Sequence, residues 1–156
     1  MPKSNGSLKL VSLTLCVLLA AIRPCFGQLG ETLSQCEQKY GPVLQKDRQG
    51  WHTFKKEPYY VLVHFYEGKA DAVQYVNWIN SPKAFSENEI ADLLKQNSPN
   101  HRGVADAGAE STMYTTKGFT GVHLKLDHIL MVATDGYLER GISAQARQET
   151  ARLKGS

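Results

Sequence analysis

The sequence predicts an α+β domain, an antiparallel sheet with helices mainly on one face, arranged in a pattern that suggests two α-β-β-β units. Three observations carry this. Residues Tyr59 to Tyr66 alternate between two unlike faces, as a half-buried strand does. Ser86 stands three residues ahead of Glu89 and just before Ile90, Leu93 and Leu94, the signature of a capped amphipathic helix. The elements also run helix, three strands, helix, three strands, helix, an order that repeats itself.

The chain opens on Lys3 and Lys9, an apolar run from Leu10 to Ile22, and a small-residue exit with Cys25 and Gly27 at −3 and −1 if cleavage falls before Gln28. This is the layout of a Sec-type signal peptide over residues 1–27, too short for a spanning helix. An uncleaved anchor is the alternative, because Arg23-Pro24 is an unusual approach to a cleavage site. Neither Cys16 nor Cys25 lies in a lipobox, so a secreted or periplasmic protein without a lipid anchor is expected.

Residues 28–156 then form one domain. Thr32 or Ser34 can cap a short helix to about Tyr40, with Leu33, Cys36 and Tyr40 on one face and Gly41-Pro42 as its stop. Gln45 to Gly50 reads as a polar turn, and Trp51 to Lys55 begins a first strand. A two-residue Glu67-Gly68 turn would require positive φ at Glu67, so a three-residue loop with Gly68 left-handed is expected. That loop puts Val61, Val63, Val73 and Tyr75 on one face and Tyr60, Leu62, His64, Gln74, Val76 and Trp78 on the other.

Asn80-Ser81-Pro82 breaks the sheet, and the Ser86 helix follows. Asn97 to Ala109 reads as a loop and the most mobile segment. Strands are expected around Met113–Thr116, Val122–Leu126 and His128–Ala133. Asp135-Gly136 leads into a closing helix from Tyr137, whose Ala-rich turns from about residue 145 to 156 fray or extend from the body.

Charge and cysteine content narrow the function. The leader holds Lys3, Lys9, Arg23 and no acid, so the formal charge of +3 belongs to it and the remaining chain is balanced. A balanced domain lacks the electrostatic footprint of a nucleic-acid or anionic-membrane binder. After the leader only Cys36 remains, which rules out an intramolecular disulfide, and its place on the apolar helix stripe makes it core rather than a nucleophile. The five histidines show no metal-ligand spacing: His52, His64 and His101 sit in separate elements, and His123 shares a strand face with Lys125. Asp127-His128 reads as a turn. No catalytic residues, metal site or cofactor are assigned.

The run Leu29-Gly30-Glu31-Thr32, the helix ending at Tyr40-Gly41-Pro42-Val43, and Tyr60-Val61-Leu62-Val63-His64-Phe65 followed by Glu67-Gly68-Lys69-Ala70 and Val73-Gln74-Tyr75 carry a resemblance. They resemble a group of small secreted bacterial proteins and, more distantly, the SmpA/OmlA outer-membrane assembly lipoproteins and the β-lactamase inhibitor protein fold. Leu29 to Trp78 carries the likeness, and the second half matches in its order of elements. The chain departs from the lipoproteins in lacking a lipidated cysteine. The resemblance implies a sheet with helices on one face, an open face that binds protein, and no inherited catalytic residues.

The expectation is therefore a secreted, non-catalytic module that binds an unidentified protein through Tyr60, His64, Tyr66, Gln74 and Trp78. Such amphipathic side chains are enriched at interface hot spots. The competing expectation is that the second half or the closing helix covers this face. A small hydrolase using His64 or His123 with an acid from another element, and a small-molecule or envelope binder with a pocket under the Asn97–Ala109 loop, are the alternatives.

Overall fold

In a computed structural model the chain is described over residues 28–77, 83–97 and 104–154. The predicted signal peptide, Trp78, the Asn80-Ser81-Pro82 break and His101 lie outside the described residues. The α+β expectation holds: helix α1 (Leu33–Tyr40) precedes strands β1 (Gln45–Lys46), β2 (Trp51–Lys56), β3 (Tyr59–Tyr66) and β4 (Lys69–Asn77). Helix α2 (Glu87–Asn97) precedes β5 (Val104–Ala107), β6 (Ser111–Thr116), β7 (Phe119–Leu124) and β8 (Ile129–Thr134), and α3 (Asp135–Lys154) closes the chain. All strand pairs are antiparallel in one sheet of order β1-β2-β3-β4-β8-β7-β6-β5.

That order is palindromic. Each half is a helix followed by a four-stranded meander, and the last strand of each half meets the other in the middle, Gln74 opposite Met131. The units are thus α-β-β-β-β, one strand longer than expected. The missed strands are the two edges: β1 lies in the segment read as a turn, and β5 in the segment read as a loop. Edge strands gain backbone pairing without two-sided burial, so they carry little of the alternating pattern that sequence reading detects.

The helices form where their caps predict. Thr32 and Gln35 make a reciprocal capping box at α1, and Gly41 takes φ 87° at its end. Ser86 and Glu89 do the same for α2, with Glu89 accepting from the Ser86 amide at 2.8 Å. Both helices bury their apolar stripes on one face of the sheet, Cys36 and Tyr40 beside Phe54, Val61 and Val63, and Ile90, Leu93 and Leu94 beside Leu130 and Val132. Cys36 is fully buried, in agreement with its reading as core. Gly121 in β7 permits the closest approach: a Cβ there would lie 2.6 Å from Leu94 Cδ2.

A buried polar knot ties the layers together. Gln28 and Asn97 both donate to the Tyr75 hydroxyl, the latter at 2.9 Å, which joins the start of the domain, β4 and the end of α2. At the other end of α2, Tyr59 donates to Glu89 at 3.0 Å while its ring stacks on Phe85. Burial, then the Glu89 contact, push the Tyr59 phenol up to about 12.

The β3–β4 hairpin corrects one expectation. The turn is the two-residue one, with Tyr66 paired to Lys69 and both Glu67 (φ 49°) and Gly68 (φ 75°) left-handed. This is the type I′ geometry that follows strand twist, adopted despite the strain at Glu67. The extra residue sits inside β4 instead: register shifts after His64, which faces Ala72, while Phe65 faces Ala70, and Asp71 is the bulge. One residue has moved from loop to strand, so the parity beyond it is unchanged. Val63 still faces Val73 and Val61 still faces Tyr75.

Candidate functional site

The sheet face opposite α1 and α2 carries the residues expected to bind. Tyr60, His64 and Tyr66 alternate along β3, and Gln74 joins them from β4 through its pairing with Leu62. Their surroundings differ. Gln74 is half-buried, with its amide 3.7 Å from the Met131 sulfur. Tyr60 is half-buried near the far end, and Tyr66 is exposed. The fifth, Trp78, lies outside the described residues.

Helix α3 covers one end of this face. Thr134 caps it by accepting from the Tyr137 amide, and Tyr137 and Leu138 pack on Trp51, Ala72 and Ala133. The rings of Trp51 and Tyr137 both meet His64 edge-on, at centroid distances of 5.5 and 5.3 Å. The bulge then matters chemically. A bulge re-aims a side chain, and here it turns the Asp71 carboxylate toward His64 and α3. Asp71 Oδ1 lies 2.6 Å from His64 Nδ1, and its other oxygen accepts from Arg140. The Arg140 guanidinium also lies over the Tyr66 ring, 3.8 Å from the centroid.

Asp71, His64, Arg140, Tyr66, Trp51 and Tyr137 therefore form one cluster that docks the first turns of α3. His64 and Asp71 have the spacing of a general base and its orienting acid. No Ser, Thr or Cys side chain hydrogen-bonds to the His64 ring among the described residues. Sequence reading chose His64 and Tyr66 but missed Asp71 and Arg140. The available signal was an acid between Ala70 and Ala72, within the buried stretch Ala70–Val73 of β4.

Past this cluster no other described element packs on the same face. Of the described helices only α3 packs on it, and from Gly141 to Ala144 α3 is itself exposed, with Ile142 68% accessible. Leu62, Val76, Ile129, Met131 and Val122 are half-buried on neighbouring strands, and Met113 on β6 is 47% accessible. A solvated face of an antiparallel sheet ordinarily presents polar side chains. This one carries aliphatic side chains on five strands, β3, β4, β8, β7 and β6, with Tyr60, Gln74, Thr115 and Thr120 among them.

The helix-covered face holds a second feature, a groove of about 790 Å³, half open to solvent, between α2 and β5–β7, beside the segment read as a mobile loop. His123 lines it, buried against Phe85. Burial first, then Lys125 and His128, hold the His123 imidazole below its ordinary value, which favours the uncharged ring. Asp127 and His128 occupy the turn joining β7 and β8, as read from sequence. Among the described residues no group of three or more His, Cys, Asp or Glu side chains is placed to hold a metal ion, and no helix is long and apolar enough to cross a membrane.

No protein-family model and no curated protein matches the chain. Among solved structures it is similar to a cysteine-rich secretory protein from Staphylococcus aureus subsp. aureus Mu50, with 11% identity and a TM-score of 0.40. That likeness covers 71% of this chain and 46% of the other, so the chain spans less than half of that structure's length. A likeness this slight carries no argument about fold or function.

Proposed function

We propose that the chain is a secreted, non-catalytic binding module whose open sheet face takes a protein partner. The reading includes the signal peptide at residues 1–27 and the family likeness carried by Leu29 to Trp78. One observation carries it. That sheet face presents Leu62, Val76, Met131 and Val122, half-buried, and Met113, exposed, on neighbouring strands, with Gln74 set between Leu62 and Met131. Apolar surface of this kind marks interaction sites on soluble proteins. Tyr60 and Gln74 lie among these side chains, whereas His64 and Tyr66 belong to the cluster that docks α3. The binding residues are accordingly Tyr60, Leu62, Gln74, Met113 and Met131, with His64 and Tyr66 as their support.

The test is affinity capture from the native envelope and secreted fractions with the purified protein as bait. Tyr60→Ser combined with Met113→Ser should abolish capture of a partner that the unaltered protein retains, with the circular dichroism spectrum unchanged. Capture that survives both substitutions in a folded protein would overturn the assignment of this face.

A further inference from the structure

Helix α3 is the longest of the described helices and the least anchored. None of residues 135–144 is buried, whereas α1 buries Cys36 and Tyr40, and α2 buries Ile90, Leu93, Leu94 and Asn97. Its apolar hold on the sheet is Tyr137 and Leu138, both half-buried, on Trp51, Ala72 and Ala133, a small cluster separate from the main core. The rest of the hold is polar: Arg140, 39% exposed, reaches Asp71 and lies over the Tyr66 ring. Helices in proteins are kept in place chiefly by burying an amphipathic face. A helix with so little buried belongs to the low-stability end of a fold.

Gly141 stands where the hold ends. It follows Arg140 inside the helix and lacks the positive φ of the turn glycines, and a Cβ there would meet no atom within 4 Å. Neither conformation nor space calls for glycine at this position, yet glycine inside a helix weakens it relative to alanine. The helix is thus weakened directly beside its dock. What the docked turns cover is aromatic. Trp51 is buried beneath Tyr137, and His64 and Tyr66 are held in the same cluster. Trp51, His64 and Ala72 pair across β2, β3 and β4, in the row next to Leu62 and Gln74 on the same face.

We propose that α3 is a latch: its first two turns lift from the sheet while the domain stays folded, and they uncover Trp51, His64 and Tyr66 as an extension of the partner-binding face. Closed, the helix withholds the aromatic end of that face, whose side chains are of the kind enriched at interface hot spots. The use made of the uncovered residues rests on the protein-binding reading, whereas the lifting does not.

Iodoacetamide labelling of the folded protein, followed for each cysteine by peptide mass spectrometry, tests the latch. Ala133→Cys places a thiol beneath Tyr137 and Leu138, and Cys36, fully buried under α1 on the other face, reports opening of the rest of the domain. Ala72→Cys gives the same reading if Ala133→Cys does not fold. Relative to the urea-unfolded chain, the thiol under α3 should react at least about 100-fold faster than Cys36, as local opening outpaces global unfolding. Arg140→Gln should speed it about tenfold and leave Cys36 unchanged, and Gly141→Ala should slow it about threefold. Equal relative rates for the two thiols, or a thiol under α3 indifferent to both substitutions, would overturn the latch. Arg140→Gln should also bind a captured partner up to about tenfold more tightly, since more of the protein stands open. Equal or weaker binding with faster labelling would overturn the extension of the face, and absence of capture by every variant would count against the protein-binding reading, with the latch still decided by the labelling.

Discussion

Replacing Asp71 by Ala tests whether the bulge is the device that docks α3. Its carboxylate, 9% exposed, joins three elements: His64 on β3 at 2.6 Å, its own strand β4, and Arg140 on α3. A hydrogen bond to a charged group contributes about 1.5–3 kcal/mol. The His64 bond is largely shielded from water, so that range applies to it. Arg140 is 39% exposed and can turn to solvent, which reduces its share to at most about 1 kcal/mol. Asp71→Ala should therefore cost about 2–4 kcal/mol, a large part of the ~5–15 kcal/mol that holds a domain of this size together.

Arg140→Gln loses the exposed half of the contact and its place over Tyr66, together about 1–2 kcal/mol. Asp71→Asn keeps an acceptor for His64 and should fall near Arg140→Gln. Urea unfolding of the three variants gives the ranking. Amide hydrogen exchange then locates the damage, with residues 135–140 losing protection in Asp71→Ala while the β2–β3 ladder keeps it. A cost below about 0.5 kcal/mol for Asp71→Ala, or a larger cost for Arg140→Gln, would refute the reasoning.

Two further outcomes follow from the titrating groups. Tyr59, pushed up to about 12, prefers to stay protonated in the folded state, so its contribution is complete below about pH 10 and is lost as pH rises from 10 toward 12. Tyr59→Phe should remove that alkaline limb from the stability profile and cost about 0.5–1.5 kcal/mol at neutral pH. His123 behaves oppositely: its depressed folded value means the unfolded chain takes up the proton first. Its contribution is therefore present above pH 6.5 and declines as pH falls through the folded value. Unfolding midpoints between pH 7.5 and 5 should fall in the native chain and fall less in His123→Phe.

Much of the fold was legible because it is written in short-range pattern. Ser86 with Glu89 places the start of α2 through a contact three residues apart, and Thr32, one of the two caps expected for α1, makes the same kind of contact with Gln35. The alternation along Tyr59–Tyr66 assigns strand faces because side-chain direction has a period of two. Even the mistaken hairpin loop left the faces correct, since parity depends on the number of extra residues and not on where they sit. The edge strands escaped because β1 is two exposed residues and β5 pairs on one side.

The candidate site was legible in part, and the division is physical. Sequence identified Tyr60, His64, Tyr66 and Gln74 as sharing a face, since that is local geometry. It could not divide them into support and surface, which depended on where α3 lands, and Arg140 reaches Asp71 across 69 positions of chain. The groove is of the same kind, because it exists only once α2 packs beside β5–β7. By itself the sequence determined the class of fold, the helix starts and the two faces of the hairpin, all set by neighbours within a few residues. Tertiary structure alone decided which part of the aromatic face is buried and where the uncovered part of that face and the groove lie. Those depend on packing between elements distant in the chain, and no local pattern encodes it.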